Sequence, residues 1–140
     1  MRAFREAVEA DDFDAVEALL AEDVVFTSPV VYKPYAGKAI TAAILRAVVR
    51  VFEDFCSVRE LSGTDGRDHA LVFTARVGER RIDGCDFLHL DEDGLIDEFT
   101  VMVRPLSGAQ ALAAAMGAQF EQITKEAETK AESGAEARLG

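Results

Sequence analysis

Residues 81–99 read RIDGCDFLHLDEDGLIDEF, and the fold turns on them. Ile82, Leu88 and Leu90 share one parity, the two-residue period of a half-buried strand. The DEDG of Asp91–Gly94 is a turn, and LIDEF begins a return strand. The stretch therefore predicts a β-hairpin. Asp86 has the parity of the apolar residues. A carboxylate there is costly unless it is protonated, paired or hydrogen-bonded. Either Asp86 lines a pocket, or this face is less buried than its alternation implies.

On either side of this hairpin the same period continues. SVRELSG, HALVFTARV, RRIDGCDFLHL and LIDEFTVMVRP read as four strands. GTDGRD, Gly78–Glu79 and DEDG are the turns between them, so the strands form an antiparallel meander. Upstream, the period is helical. A helix is predicted over about residues 38–54, with Ile40, Ile44, Leu45, Val48, Val51, Phe52 and Phe55 as one broad stripe and Arg46 and Arg50 on the polar side. Before it comes a loop, VYKPYAG, and a strand, VVFTSPV, whose Pro29 belongs at an edge or an end. A short helix over residues 2–10 opens the chain. Asp12 caps a second helix that is expected to stop near Asp23.

The tail is predicted to be helical. Ser107 and Gln110 form a capping-box pattern, and Leu112, Met116, Phe120 and Ile123 make one stripe. Residues 127–140 are polar and low in complexity and are expected to fray, leaving one domain over residues 1–126. Helices at one end of an antiparallel sheet define the class as α+β. A curved sheet wrapped around the long helix would leave a cavity between them, where Asp86 would find a use.

With 140 residues, of which 49% are hydrophobic, the chain can build a real core. A net charge of −11 argues against nucleic acid and against anionic membranes as partners. Cys56 and Cys85 have no metal-ligand spacing and read as free thiols of a reducing compartment. No apolar run approaches the ~20 residues of a membrane span, and the N-terminus does not read as a signal segment. The expected location is cytoplasmic. No phosphate loop, dinucleotide fingerprint, zinc pair or calcium-loop frame is present, so no cofactor and no metal is expected.

The remaining polar residues are read as follows. His89 has the opposite parity to Asp86, so the two should face opposite sides of the sheet, and no Ser-His-Asp triad is expected. His69 lies near a turn. Arg76 on an alternating strand suits a solvated face or a salt bridge between subunits. Ser28 is either a pocket hydroxyl or a strand-end serine before a proline. Tyr32 and Tyr35 flank a loop suited to covering a cavity mouth.

Over about residues 3–103 the chain resembles the nuclear transport factor 2-like superfamily, the α+β cone. The resemblance rests on DDFDAVEALLAEDVVFTSPV, on Y-x-G-K-A-I opening the long helix, and on FLHLDEDGLI. It implies a cone whose pocket hosts isomerases, dehydratases, cyclases, epoxide hydrolases or inert binding domains. Similarity to the ketosteroid isomerases implies a protonated aspartate at Asp86. Their base falls on Ser28 and their tyrosine on Phe4, neither of which can do that work. Similarity to the limonene epoxide hydrolases keeps Arg76 but places Gly78 and Val101 where those enzymes have aspartates.

The expected protein therefore binds a lipophilic small molecule. Its enzymatic form would be a cofactor-free isomerase, cyclase, dehydratase or epoxide hydrolase. The alternative is a non-catalytic ligand- or protein-binding domain that has lost both catalytic sets. Asp86, as acid or oxyanion donor, and Ser28 are the expected catalytic residues. Phe26, Tyr32, Tyr35 and Phe73 are the expected ligand contacts, together with Leu88, Phe99, Val101 and Val103. A homodimer is expected through the outer sheet face, where Glu98, Thr100 and Met102 lie beside Phe87 and His89.

Overall fold

The structure, a computed structural model, describes the backbone of residues 1–139 and the side chains of residues 1–130. Two short helices, α1 (Arg2–Glu9) and α2 (Phe13–Ala18), lead into β1 (Leu20–Thr27) and the two-residue β2 (Tyr35–Ala36). The long helix α3 (Lys38–Val51) follows. Then come β3 (Glu53–Ser62), β4 (Asp68–Val77), β5 (Arg80–Leu90) and β6 (Ile96–Arg104), and the chain closes with α4 (Leu106–Leu139). The fold is α+β, a curved sheet with the helices on one side.

The meander is present: β3, β4, β5 and β6 pair antiparallel in sequence order. The hairpin of residues 81–99 closes as expected. Asp91 Oδ1 accepts from the N–H groups of Asp93 at 2.9 Å and Leu95 at 3.0 Å, and Gly94 supplies a φ of 79°. Gly78, at φ 59°, turns the β4–β5 hairpin.

The sheet is not purely antiparallel. β1 pairs parallel with β6, and β2 adds at the edge, so the six strands run β2-β1-β6-β5-β4-β3. This pairing moves one boundary. The second helix ends at Ala18 rather than near Asp23, because Leu20 already pairs with Ile96 and Leu19 C=O accepts the Ile96 N–H at 2.8 Å. Sheet hydrogen bonds there outweigh the helical propensity of EALLAE. α3 likewise ends at Val51 rather than near residue 54, with Phe52 extended and β3 starting at Glu53, so Phe55 belongs to the sheet and not to the helical stripe.

Asp12 caps α2 as expected, accepting the Ala15 N–H at 3.1 Å. Ser107 does not cap α4. That helix begins at Leu106, with the Ala109 N–H bonded to Pro105 C=O at 2.9 Å, so Ser107 sits inside the first turn. Fraying was expected from residue 127. Residues 127–130 are helical, with Lys130 Nζ 3.5 Å from Glu17. The helical backbone continues to Leu139, and residue 140 lies outside the described residues.

The core has two parts. The larger packs Phe4, Val16, Leu20, Val24 and Phe26 with Ala43, Ile44 and Ala47 of α3 and with Leu88, Ile96 and Phe99 of the sheet. The smaller joins Phe73, Ala75, Val77 and Ile82 to Leu112 of α4. Polar faces hold the helices together. Arg46 reaches Asp14 at 2.9 Å and Glu17 at 3.1 Å, and Arg50 reaches Gln119 and Glu126. No helix among the described residues is long and apolar enough to cross a membrane.

Candidate functional site

Between the concave sheet face, α1, α3 and α4 lies a cavity of about 670 Å³, a volume within the range of small-molecule sites. Two aromatic clusters make its walls. Phe99 sits 5.5 Å from Phe4, edge to face, and 5.5 Å from Phe26. Phe73 stacks on Phe55 at 5.1 Å and meets Phe52 at 5.6 Å. Gly84 is what lets Phe73 lie where it does. A Cβ at residue 84 would stand 2.2 Å from Phe73 Cζ. Val31, Phe55 and Phe120 are exposed apolar side chains on the cavity wall.

Asp86 opens into this cavity from the middle of β5. Its register partners are Leu71 on β4 and Val101 on β6, and Gly84 and Leu88 flank it along its own strand. None of these side chains can donate a hydrogen bond. Among the described residues the carboxyl has no hydrogen-bond partner and no ion pair. Its residual accessible surface faces the cavity, so it is half-buried by area and still removed from bulk water. Desolvation alone pushes its pKa up from 3.8 to about 7. The group can therefore be a neutral donor or a carboxylate near neutral pH, the range suited to acid–base work.

Ser28 also lies on the wall, at the end of β1, but its hydroxyl oxygen is engaged. It accepts the N–H groups of Val30 at 3.1 Å and Val31 at 3.3 Å, a hydroxyl turn after the strand. No hydrogen bond joins Ser28 or a loop tyrosine to Asp86. Phe26, Tyr35, Phe73, Phe99 and Val101 line the cavity.

Three expected contacts are elsewhere. Tyr32 is 100% exposed, because the Ser28–Pro29 turn carries the following loop outward. Leu88 is buried in the main core and does not reach the wall. Val103 packs against the second core cluster and is also off the wall.

Sequence reasoning missed two contributors. Asp11, at a left-handed φ of 55° between α1 and α2, is a second carboxylate on the wall. The α4 stripe also lines the cavity, through Met116, Gly117 and Phe120 among others. The signal for α4 was present in its 3.6 period, but period alone cannot tell a core stripe from a cavity wall.

On the outer face, a β-bulge between His89 and Leu90 leaves Asp97 unpaired, so Ile96 and Phe99 point inward three residues apart. Asp97 and Glu98 both approach His89, with donor atoms of all three within 4.8 Å of one another. His89 Nδ1 lies 2.6 Å from Asp97 Oδ1, and that bond raises the imidazole pKa. Arg76 is held by Glu53 at 2.8 Å and Asp54 at 3.1 Å, away from the cavity.

Comparison with known proteins agrees with this architecture. A steroid delta-isomerase from Pseudomonas aeruginosa is 43% identical over 87% of this chain and 89% of its own, with a TM-score of 0.82. An uncharacterized bacterial protein with a cystatin-like fold, from Silicibacter pomeroyi, is 38% identical over 91% of each chain, also at 0.82. An epoxide hydrolase/cyclase-like enzyme of pyran ring formation in salinomycin shares the fold at 21% identity, covering 76% of this chain and 88% of its own, with a TM-score of 0.60. No match was found among curated proteins. The family model of the SnoaL-like domain matches residues 1–99, and with this match and these relatives the chain belongs to the SnoaL-like family of the nuclear transport factor 2-like fold.

Proposed function

We propose that this protein is a cofactor-free acid–base enzyme acting on a lipophilic small molecule that carries a carbonyl or similar oxygen. Asp86 is its acid. Protonated, the carboxyl donates its O–H to the ligand oxygen and stabilises negative charge that develops there. The observation that carries this reading is an unpartnered carboxyl facing a cavity of about 670 Å³ walled by phenylalanines. A desolvated acid without a partner among the described residues is well placed to take one from a ligand.

Likeness to a steroid delta-isomerase favours isomerisation among the chemistries found on this fold. Ser28 acts as a positioning group at the wall, since its oxygen already accepts two backbone N–H groups. Phe26, Tyr35, Phe73, Phe99 and Val101 supply the apolar contacts. A second reading, ligand binding without turnover, is favoured by Phe4 and Ser28 standing where the isomerases carry a tyrosine and a base. Turnover by the wild type separates the two, and replacing Asp86 by asparagine separates proton transfer from hydrogen-bond donation. Turnover of a polycyclic enone should collapse while its binding survives if Asp86 transfers protons. If binding and turnover both largely persist, Asp86 acts as a neutral donor and transfers no proton; a wild type that binds the enone and never turns it over refutes the enzymatic reading.

We further propose a homodimer through the outer sheet face. Phe87 and Met102 are 42% and 59% exposed beside His89 and Glu98. Such a mixed apolar and polar patch suits a self-complementary interface. Light scattering at micromolar concentration should give twice the chain mass. The monomer mass alone would refute it. Two unbonded cysteines, Cys56 and Cys85, fit a reducing cytoplasm.

A further inference from the structure

Asp86 borders two spaces, not one. Besides the main cavity it lines a pocket of about 50 Å³ between α1 and the β3–β4 pair. The wall of this smaller space is different in kind. It carries Arg5 from α1 and Ser57 and Arg59 from β3, next to Val58 and Leu71. The main cavity is almost wholly apolar around Asp86.

Arg5 brings a second orphan to this pocket. Its Nε is buried and has no hydrogen-bond partner among the described residues. The Glu9 carboxylate stands 3.7 Å from that nitrogen, beyond hydrogen-bond reach, and Glu60 takes Nη1 instead, at 3.3 Å. So one small space is bordered by a residue with an unpaired donor and by a residue with an unpaired carboxyl. Buried polar groups left without protein partners are generally met by ordered water. A volume of about 50 Å³ holds a few water molecules, and it is too narrow for the ligand of the main cavity.

We propose that the pocket between α1 and β3 is a water site that joins Asp86 to solvent while a lipophilic ligand fills the main cavity. The inference rests on the reading of Asp86 as the acid of that cavity, and it adds how the proton it carries exchanges with solvent. A proton taken up by the Asp86 carboxylate passes to a pocket water as that water returns another. The swap changes neither charge nor composition. Protons moved by Asp86 are thereby exchanged with solvent rather than held for the same ligand. The ionisable groups around Asp86 are few. Arg5 comes from α1 and Arg59 from β3, and Asp11 and Tyr35 stand on the main cavity wall; Cys85, next to Asp86 along its strand, feels its charge. α3 and α4 present only apolar residues to that cavity.

The test blocks the small pocket and leaves the main one alone. Ser57 lines only the former. The Asp86 carboxyl carbon is followed by NMR from about pH 4 to pH 9 in the wild type, Ser57→Ala and Ser57→Leu. Ser57→Leu should move the Asp86 midpoint upward by about one pH unit, since it displaces the water that solvates the carboxylate. Ser57→Ala should leave the midpoint in place. Binding of 2-acetylnaphthalene at about pH 5.5 should match the wild type in both variants. Should Ser57→Leu fail to fold, Ser57→Val, which suits a strand, replaces it. A raised wild-type midpoint that the bulky variant does not move overturns the water route alone. A wild-type midpoint in the ordinary carboxylate range overturns the cavity acid itself.

Discussion

Replacing Asp86 by asparagine isolates the free energy stored in its carboxyl. The amide has nearly the same shape and cannot ionise. In the unfolded chain Asp86 loses its proton near pH 3.8, and in the folded chain near pH 7. Between those values the folded state holds one more proton than the unfolded state. Stability therefore falls as pH rises through this window, and the loss is complete above the folded pKa. The gap of about three units, at about 1.36 kcal/mol each, amounts to roughly 4 kcal/mol. About half of that lies above pH 5.5, clear of the isoelectric point near 4.6, where a chain of this charge is least soluble. Urea denaturation of wild type and Asp86→Asn at about pH 5.5 and 8.5 gives the difference directly, and the titration of groups that do not feel the Asp86 charge cancels in it. The variant should gain about 2 kcal/mol relative to the wild type between the two pH values. A stability difference that does not change with pH would show that the carboxyl is not desolvated, and the reasoning from its neighbours Leu71 and Val101 would fall with it.

Three further outcomes are expected. Gly84→Ala should cost about 1–3 kcal/mol in urea denaturation, because its Cβ would press on a Phe73 ring held by Phe55 and Phe52; an unchanged midpoint would mean that the ring is free to move. Gly117→Ala should raise the melting temperature by roughly 3 °C, since nothing lies within 4 Å of the added carbon and alanine favours a helix interior by about 1 kcal/mol; a lowered melting temperature would refute it. His89 should titrate above its usual range in NMR, first through its bond to Asp97 and then through Asp68 and Glu98, and Asp97→Asn should bring it down; an unmoved midpoint would place the cause elsewhere.

The period switch and the turn residues of the meander made most of the fold legible. What escaped was the non-local part. Nothing in LAEDVVFT announces that β1 will run parallel beside β6, because that pairing joins residues some seventy positions apart. The same non-local pairing cut the second helix short at Ala18. At the site, the parity of Asp86 with Ile82 and Leu88 carried it to the correct side of the sheet. Parity could not separate Val101, on the wall, from Leu88, in the packed core, and Val103, against the second core cluster, which share its face. Tyr32 and Tyr35 are three residues apart, and the turn at Ser28 and the pairing of Tyr35 with Phe26 decide which of them reaches the cavity. Asp11 gave no sequence signal beyond interrupting a helix.

The central claim is that Asp86 meets its ligand as a neutral donor. Binding of 2-acetylnaphthalene, a neutral ketone, measured by calorimetry from about pH 5.5 to pH 9 tests it most directly. Affinity should hold steady up to about pH 7 and then fall by about tenfold per unit until the charged form's own affinity is reached, because the carboxyl must be reprotonated to donate. Asp86→Asn should bind with no such dependence. Wild-type affinity that is flat across the whole range would contradict the account.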